Sequence, residues 1–361
     1  MSLEDGGLTM HVGHMVVYNH GKGSARVTDQ HSHPNLFRRA QSELSQDAIL
    51  CWLLEWSDPA FATANSALHA TGHELLRRIF SLCGQPVPAA AQTITIQQQV
   101  AGLDVLALVG DEYAVLLEDK TDTREHSGQL ERYAQAIKKK YPDRRQLCVY
   151  CKTGEQDEYD GVRAAGYHVL GRSELLEVMR FGQEAGVQHD AFREYHEYLA
   201  ELDSGYAAFE TALLSEWTGN PWQGFFVWLQ KTLKDGGWGY VANEAGGFMG
   251  YWWHWRVAAG HSVYLQLENE RLCFKIEVKD AAQRSRRRNA WYQHLLGVAR
   301  DCAFSIEKPA RFGNGLSMTV ALKSGDYRHS TDKGTIDLDA TIGTLHAAEQ
   351  LLDRAVASFG Q

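Results

Sequence analysis

The chain has no apolar run approaching the roughly 20 residues that a membrane-spanning helix needs, which excludes an integral helical membrane protein. Its opening residues, MSLEDGGLTM, show no basic stretch followed by an apolar core, so a secretory leader is not expected. No Gly-rich loop ending in Gly-Lys-Ser/Thr occurs, and ATP-driven translocation would need a partner chain. Cysteine is sparse. Of the six (Cys51, Cys83, Cys148, Cys151, Cys273 and Cys302), only Cys148 and Cys151 form a Cys-x-x-Cys pair, whereas a zinc ribbon needs two such pairs or a pair with histidines at set spacing. That pair lies in the apolar run Leu147–Cys151, which reads as a strand, and residues three apart on a strand point to opposite faces. The cysteines are expected to be reduced core residues, which points to the cytoplasm. No internal repeat or low-complexity tract is present.

What is present suits a globular protein with two cores. The chain has 361 residues, 44% of them hydrophobic and 22% charged. Its net charge of -9 is unevenly spread: residues 1–216 hold 19 Lys and Arg against 31 Asp and Glu, and residues 217–361 hold 17 against 14. The acidic half suits a cation, and the mildly basic half suits phosphates.

Residues 1–33 are Gly- and His-rich without periodicity and read as a loose arm. Helical spacing runs from Leu36 to Trp56, with Ile49, Leu50, Leu53 and Leu54 on one side. A second helix spans about Asn65 to Leu82 and is stopped by Gly84, Pro86 and Pro88. Strands follow at Thr93–Val100, Leu103–Val109 and Tyr113–Lys120, the last two joined by the hairpin signal Gly110-Asp111-Glu112. Then come a helix from Arg124 to Tyr141, strands at Gln146–Cys151 and Tyr167–Leu170, a helix from Ser173, and polar helices over 187–216. This order predicts an α/β domain over residues 34–216, a mixed sheet flanked by helices. Thr218-Gly219-Asn220-Pro221 marks the start of a second, α+β domain over 217–361. It reads as a helix at Trp222–Leu233, four or so strands through Val278, a long helix from Ala281 to about Ala303, further strands and a closing helix from Ile342.

Chemistry concentrates in the hairpin. Asp104 sits inside the apolar strand Leu103–Val109. On the next strand Glu118 is followed, two residues on, by Lys120; alternation gives these two a common face and turns the Asp119 side chain away. A hairpin register can bring Asp104 beside Glu118, and two carboxylates in low dielectric repel unless a cation lies between them. Carboxylate oxygens and waters suit Mg²⁺, and a lysine on the same face can orient the attacking water. Gln129 and Tyr133, four apart, share the helix face that overlooks the hairpin. Taken singly, each of these residues reads as solvated surface; a lone charge inside an apolar run is costly, so the set reads as a site.

The succession Asp104, then Leu116-Leu117-Glu118-Asp119-Lys120, then Gln129-Leu130-Glu131-Arg132-Tyr133 resembles the PD-(D/E)XK nuclease superfamily, in particular a bacterial family that usually reads Glu-Asn-Lys, with the Gln-x-x-x-Tyr element of the RecB-like branch. The resemblance covers roughly residues 35–180 and implies a restriction-endonuclease-like αβββαβ core. By it, Asp104 and Glu118 ligate Mg²⁺ or Mn²⁺, the Asp119 carbonyl adds a ligand, Lys120 handles the water, Gln129 and Tyr133 overlook the metal, and Glu43 reaches in from the first helix. Two positions depart from the pattern: Leu103 stands for the nominal proline and Asp119 for the usual Asn. The implied activity is metal-dependent phosphodiester hydrolysis, with DNA as the expected substrate. The alternative is a non-catalytic nucleic-acid-binding or interaction protein that keeps the fold.

Three weaker signals remain. Arg284, Arg286, Arg287 and Arg288 open the long helix of the second half and suit nucleic-acid phosphates, although such clusters are also ordinary solvated faces. Trp252, Trp253 and Trp255 suit either base stacking or a strand core. Glu277-Val278-Lys279, with Glu268 upstream, repeats the Glu-x-Lys pattern but reads first as an amphipathic strand.

Overall fold

The computed structural model describes residues 34–40, 42–88, 92–125, 128–243 and 246–359; the arm expected over 1–33 lies outside them. The first helix, α1 (Ser42–Trp56), starts six residues later than its periodicity predicts, because the Leu36 carbonyl accepts from Arg39 and Ala40 in a turn of its own. Helix α2 (Ser66–Leu82) is capped by Asn65, whose side chain accepts from the Leu68 amide at 3.0 Å. Strands β1 (Ile94–Val100), β2 (Leu103–Val109) and β3 (Tyr113–Lys120) form an antiparallel meander. Its first turn, Ala101-Gly102, has positive φ at both residues, the pattern that matches the twist of a two-residue hairpin.

After β3 the chain crosses over through α3 (Gln129–Lys140) to β4 (Arg145–Lys152), which pairs with β3 in parallel. A short helix, α4 (Asp160–Ala164), leads to β5 (His168–Gly171), parallel to β4, and the sheet order is β1-β2-β3-β4-β5. Helices α5 (Arg172–Glu184) and α6 (Asp190–Ala207) complete the layer on the α1–α2 side. The α3 side is thinner, with Leu106, Leu108, Ala114 and Leu116 packed against Ile137. The odd residues of β3 therefore feed one core and the even residues the other, as strand alternation requires.

From α7 (Asn220–Leu233) on, a second sheet with the order β10-β11-β9-β8-β7-β6 is built from β6 (Gly237–Val241), β7 (Phe248–Ala258), β8 (His261–Glu268), β9 (Arg271–Glu277), β10 (Ile306–Glu307) and β11 (Ser317–Lys323). One of its faces packs against α7, α8 (Arg284–Asp301) and α9 (Leu338–Ser358) around Trp253, Trp291, Leu265 and Phe274. Helix α9 begins four residues earlier than its periodicity predicts, because Asp337 caps it through the Ala340 amide at 3.0 Å. Among the described residues no helix is long and apolar enough to cross a membrane.

Both sheets lie in one compact unit that starts at Leu36. The joint is close. Gly224 of α7 packs against Tyr206 of α6 so tightly that a Cβ there would stand 1.9 Å from the Tyr206 carbonyl oxygen. The Gln230 side chain donates to the Asp157 carbonyl at 2.9 Å, and the Asp157 carboxylate receives Arg124 at 2.6 Å.

Candidate active site

The two strands that carry the acids are held in register by their own apolar residues, Val105 opposite Leu117 and Leu106 opposite Leu116. That pairing brings Asp104 and Glu118 to the open end of the hairpin. Lys120 Nζ lies 2.6 Å from Glu118 Oε1 and 3.6 Å from Asp104 Oδ2. It also donates to the Asp119 carbonyl at 2.8 Å. The second oxygen of Glu118 is buried without a hydrogen-bond partner. An unmet carboxylate oxygen costs about 1–3 kcal/mol or more, and a cation would satisfy it.

Helix α3 closes the site from the next layer. It starts at Gln129, five residues later than its periodicity predicts. Gln129 Nε2 donates to Glu118 Oε1 at 2.8 Å and to the Tyr133 hydroxyl at 2.9 Å. The Tyr133 ring lies over Gly102, where a Cβ would stand 2.9 Å from it, so the β1–β2 turn needs glycine there for both its φ and its space. Tyr133 thus fixes Gln129, and Gln129 fixes Glu118.

Helix α1 approaches the end of β3 from the opposite face. Glu43 accepts from the Thr123 hydroxyl at 2.7 Å and the Thr121 amide at 3.4 Å. One turn on, Asp47 is buried with its Oδ1 unpartnered, and Gln46 donates to Asp119 and accepts from Thr153. The loop after β3 is tied down by Lys152, whose buried ammonium donates to the carbonyls of Thr121 and Thr123 at 2.7 and 2.6 Å.

The sequence reasoning passed over Asp47, Gln46 and Lys152. The signal for Asp47 was available: it lies three, four and seven residues before Leu50, Cys51 and Leu54, all core positions, so the same helical stripe puts an acid on the buried side. Lys152 carries no comparable signal, since a lysine at a strand end is normally solvated.

Burial sets the electrostatics. It pushes the Glu118 carboxyl up to about 7, with Asp104 adding to the shift and Lys120 opposing it. It raises Asp47 to about 7, again with help from Asp104. It drives Asp119 well above the usual carboxylate range, with Asp47 beside it. Burial alone would lower the Lys120 ammonium, but Glu118 and Asp104 hold it up, whereas the drier Lys152 falls to about 8. Among the described residues no three His, Cys, Asp or Glu side chains form a ready-made metal cluster. The oxygens on offer are those of Asp104 and Glu118 and the Asp119 carbonyl, a hard-donor set that fits an ion which keeps several waters.

A profile of the PD-(D/E)XK nuclease superfamily matches residues 37–220, just over half of the chain. The chain belongs to this superfamily. The mixed sheet with helices on both faces agrees with its fold, and the second sheet is additional to it. Neither a curated protein nor a solved structure matches the chain.

The arginines singled out in the second half lie elsewhere, at the start of α8. Arg284 donates to the carbonyls of Val278 and Asn314 at 3.0 and 3.3 Å, and the buried Arg288 donates to Gly313 and lies over the Phe312 ring. Arg286 is exposed and Arg287 half-exposed. Of the tryptophans, Trp253 is core, Trp252 is half-buried and Trp255 is 40% exposed.

Proposed function

We propose that the chain is a Mg²⁺- or Mn²⁺-dependent nuclease that hydrolyses DNA phosphodiester bonds, with Asp104 and Glu118 as metal ligands and Lys120 as the group that handles water. The observation that carries this reading is the Lys120 ammonium within reach of two carboxylates while Glu118 Oε2 remains buried and unpartnered. The Asp119 carbonyl is a further ligand. Such a metal supplies Lewis-acid polarisation of the scissile phosphate and neutralises its charge.

The chain's own residues do the rest. With the Glu118 and Asp104 carboxylates held on the metal, the Lys120 ammonium would be free to face the phosphate side of the site. There the ammonium orients the attacking water and offsets charge growing on the phosphate oxygens. Gln129, held by Tyr133, keeps one Glu118 oxygen aimed. Glu43 adds negative charge behind the site, which favours a divalent ion there.

The part from residue 217 on is read as a second domain that holds the nucleic acid, with Arg284, Arg286, Arg287 and Arg288 at its phosphate contact. In this reading Arg286 and Arg287 touch the backbone, and Arg284 and Arg288 brace the loop beside them. The test is cleavage of plasmid and linear DNA with Mg²⁺ or Mn²⁺. Wild-type protein cuts and Lys120→Ala does not; a wild type inert on both, with both ions, leaves the non-catalytic alternative.

A further inference from the structure

The edge strand β1 closes on three glutamines and a valine, Gln97-Gln98-Gln99-Val100. Gln97 stands opposite Leu106, on the α3 side of the sheet, and its side chain is taken up by the Tyr141 hydroxyl at 3.1 Å and by Lys140 at 3.4 Å. Gln98 stands opposite Val105 and takes the other face. Gln99 should by the same count stand opposite Asp104, because the flanking pairs Gln98–Val105 and Val100–Leu103 are both in register. The ladder nevertheless skips that one pair.

The backbone leaves strand geometry at the same residue. Gln99 has φ +53°, in the left-handed region that glycine favours and other residues rarely adopt. Such a conformation persists only where its surroundings hold it, and it gathers beside functional groups. From it, Gln99 Nε2 donates to Asp104 Oδ1 at 3.3 Å. The other oxygen, Oδ2, accepts from the Asp119 amide at 2.9 Å. The Asp104 carboxylate is therefore held from both neighbouring strands, by β1 on one oxygen and by β3 on the other. Glu118 has a matching support, since Gln129 Nε2 donates to its Oε1 at 2.8 Å. Each acid of the site is thus met by one glutamine amide. The two glutamines also meet through the hairpin tip: Gly102, three residues after Gln99, lies under the Tyr133 ring, and the Tyr133 hydroxyl accepts from Gln129.

We propose that Gln99 is a positioning residue for the metal: its side-chain amide holds the Asp104 carboxylate in the orientation in which it meets the ion. Glycine would adopt the backbone conformation at residue 99 more readily, but it has no amide to offer, so the strain is kept for the side chain. This rests on the reading of Asp104 as a metal ligand, and it adds the residue that aims that ligand.

The test is calorimetric titration of Mn²⁺ into the full chain, with thermal melting of the metal-free protein alongside. Gln99→Gly removes the amide and relieves the backbone, so it should melt no lower than wild type and yet bind Mn²⁺ about tenfold more weakly. Gln99→Leu lacks the amide but keeps the strain, so it should lose Mn²⁺ affinity to the same extent with no gain in melting temperature. In both variants DNA cleavage should return to within about threefold of wild type once Mn²⁺ is raised about tenfold, because a poorly aimed ligand weakens loading more than chemistry. Wild-type Mn²⁺ affinity in either variant overturns the proposal, as does a Gln99→Gly chain that melts below wild type. Asp104→Ala tells the two readings apart. If it abolishes Mn²⁺ binding while the Gln99 variants bind normally, Asp104 is the ligand and Gln99 does not aim it. If Asp104→Ala binds Mn²⁺ like wild type, the ligand assignment itself falls and the role of Gln99 falls with it.

Discussion

Glu118 with Lys120 on the first sheet and Glu268 with Lys275 on the second are both buried acid–base pairs, 2.6 and 3.2 Å apart. They differ in what is left over. Glu268 receives Gln266 and Lys275 on one oxygen and Arg271 on the other, and Lys275 also donates to Thr319 at 3.0 Å. Neither side chain of that pair has a buried oxygen or nitrogen left without a partner. Around Glu118, in contrast, one oxygen of Glu118, one of Asp47 and one of Asp119 are buried and unpartnered. Residue types and strand context alike suggest two sites; unmet bonding capacity suggests one. A closed network specifies structure, whereas the open one around Glu118 leaves acceptor capacity that a cation would fill.

The largest effect that would sharpen this contrast is catalytic. Lys120→Ala should lower the rate of DNA cleavage by about a thousandfold with little change in melting temperature, whereas Lys275→Ala should leave cleavage within about threefold of wild type. Plasmid nicking read beside thermal melting separates the two; comparable losses of cleavage from both would break the comparison.

Next comes stability. Glu268→Ala strands Lys275 in a buried position and should cost about 3 kcal/mol in denaturant unfolding, while replacing both partners by apolar residues of similar volume should recover most of that. Gln129→Ala should slow cleavage by about tenfold without altering the unfolding midpoint, because it aims a ligand and does not form the core.

The pH dependence follows from the raised carboxyls. Glu118 and Asp47 stand at about 7 in the folded, metal-free chain and near 4 when unfolded. Their raised values add stability that is complete below about pH 4 and disappears as pH climbs through 7. Melting of the metal-free protein should therefore fall between pH 5 and 8, and Mg²⁺ binding should release protons near pH 6.5 but few at pH 8.5. Calorimetry in buffers of different ionisation enthalpy reads the release; none at pH 6.5 would contradict the assignment of Glu118. The smallest effect belongs to Asp119→Asn. Burial favours the uncharged form of its carboxyl, so the amide should change stability by no more than about 1 kcal/mol in a denaturant titration.

The strand alternation of β2 and β3 made Asp104, Glu118 and Lys120 readable in the sequence, because a period of two leaves little choice of face. The i, i+4 spacing of Gln129 and Tyr133 did the same for α3. Helix ends were less legible: α1, α3 and α9 shifted by four to six residues, since their limits depend on turns and caps that periodicity does not record. Lys152 was hidden for a different reason. Its role is to bond carbonyls of a loop about thirty residues earlier, and only the parallel pairing of β4 with β3 brings them together.

The Gly224–Tyr206 contact and the Gln230–Asp157–Arg124 chain have a consequence for how such a protein can change. The superfamily match ends at residue 220, at the first turn of the helix that supplies Gly224 and Gln230. A crossover at that point would separate Tyr206 from the glycine that fits against it, and would remove the Gln230 bond to the Asp157 carbonyl. Modularity therefore stops short of this joint: an insertion or fusion that cuts either contact should loosen both halves, and one placed elsewhere should not.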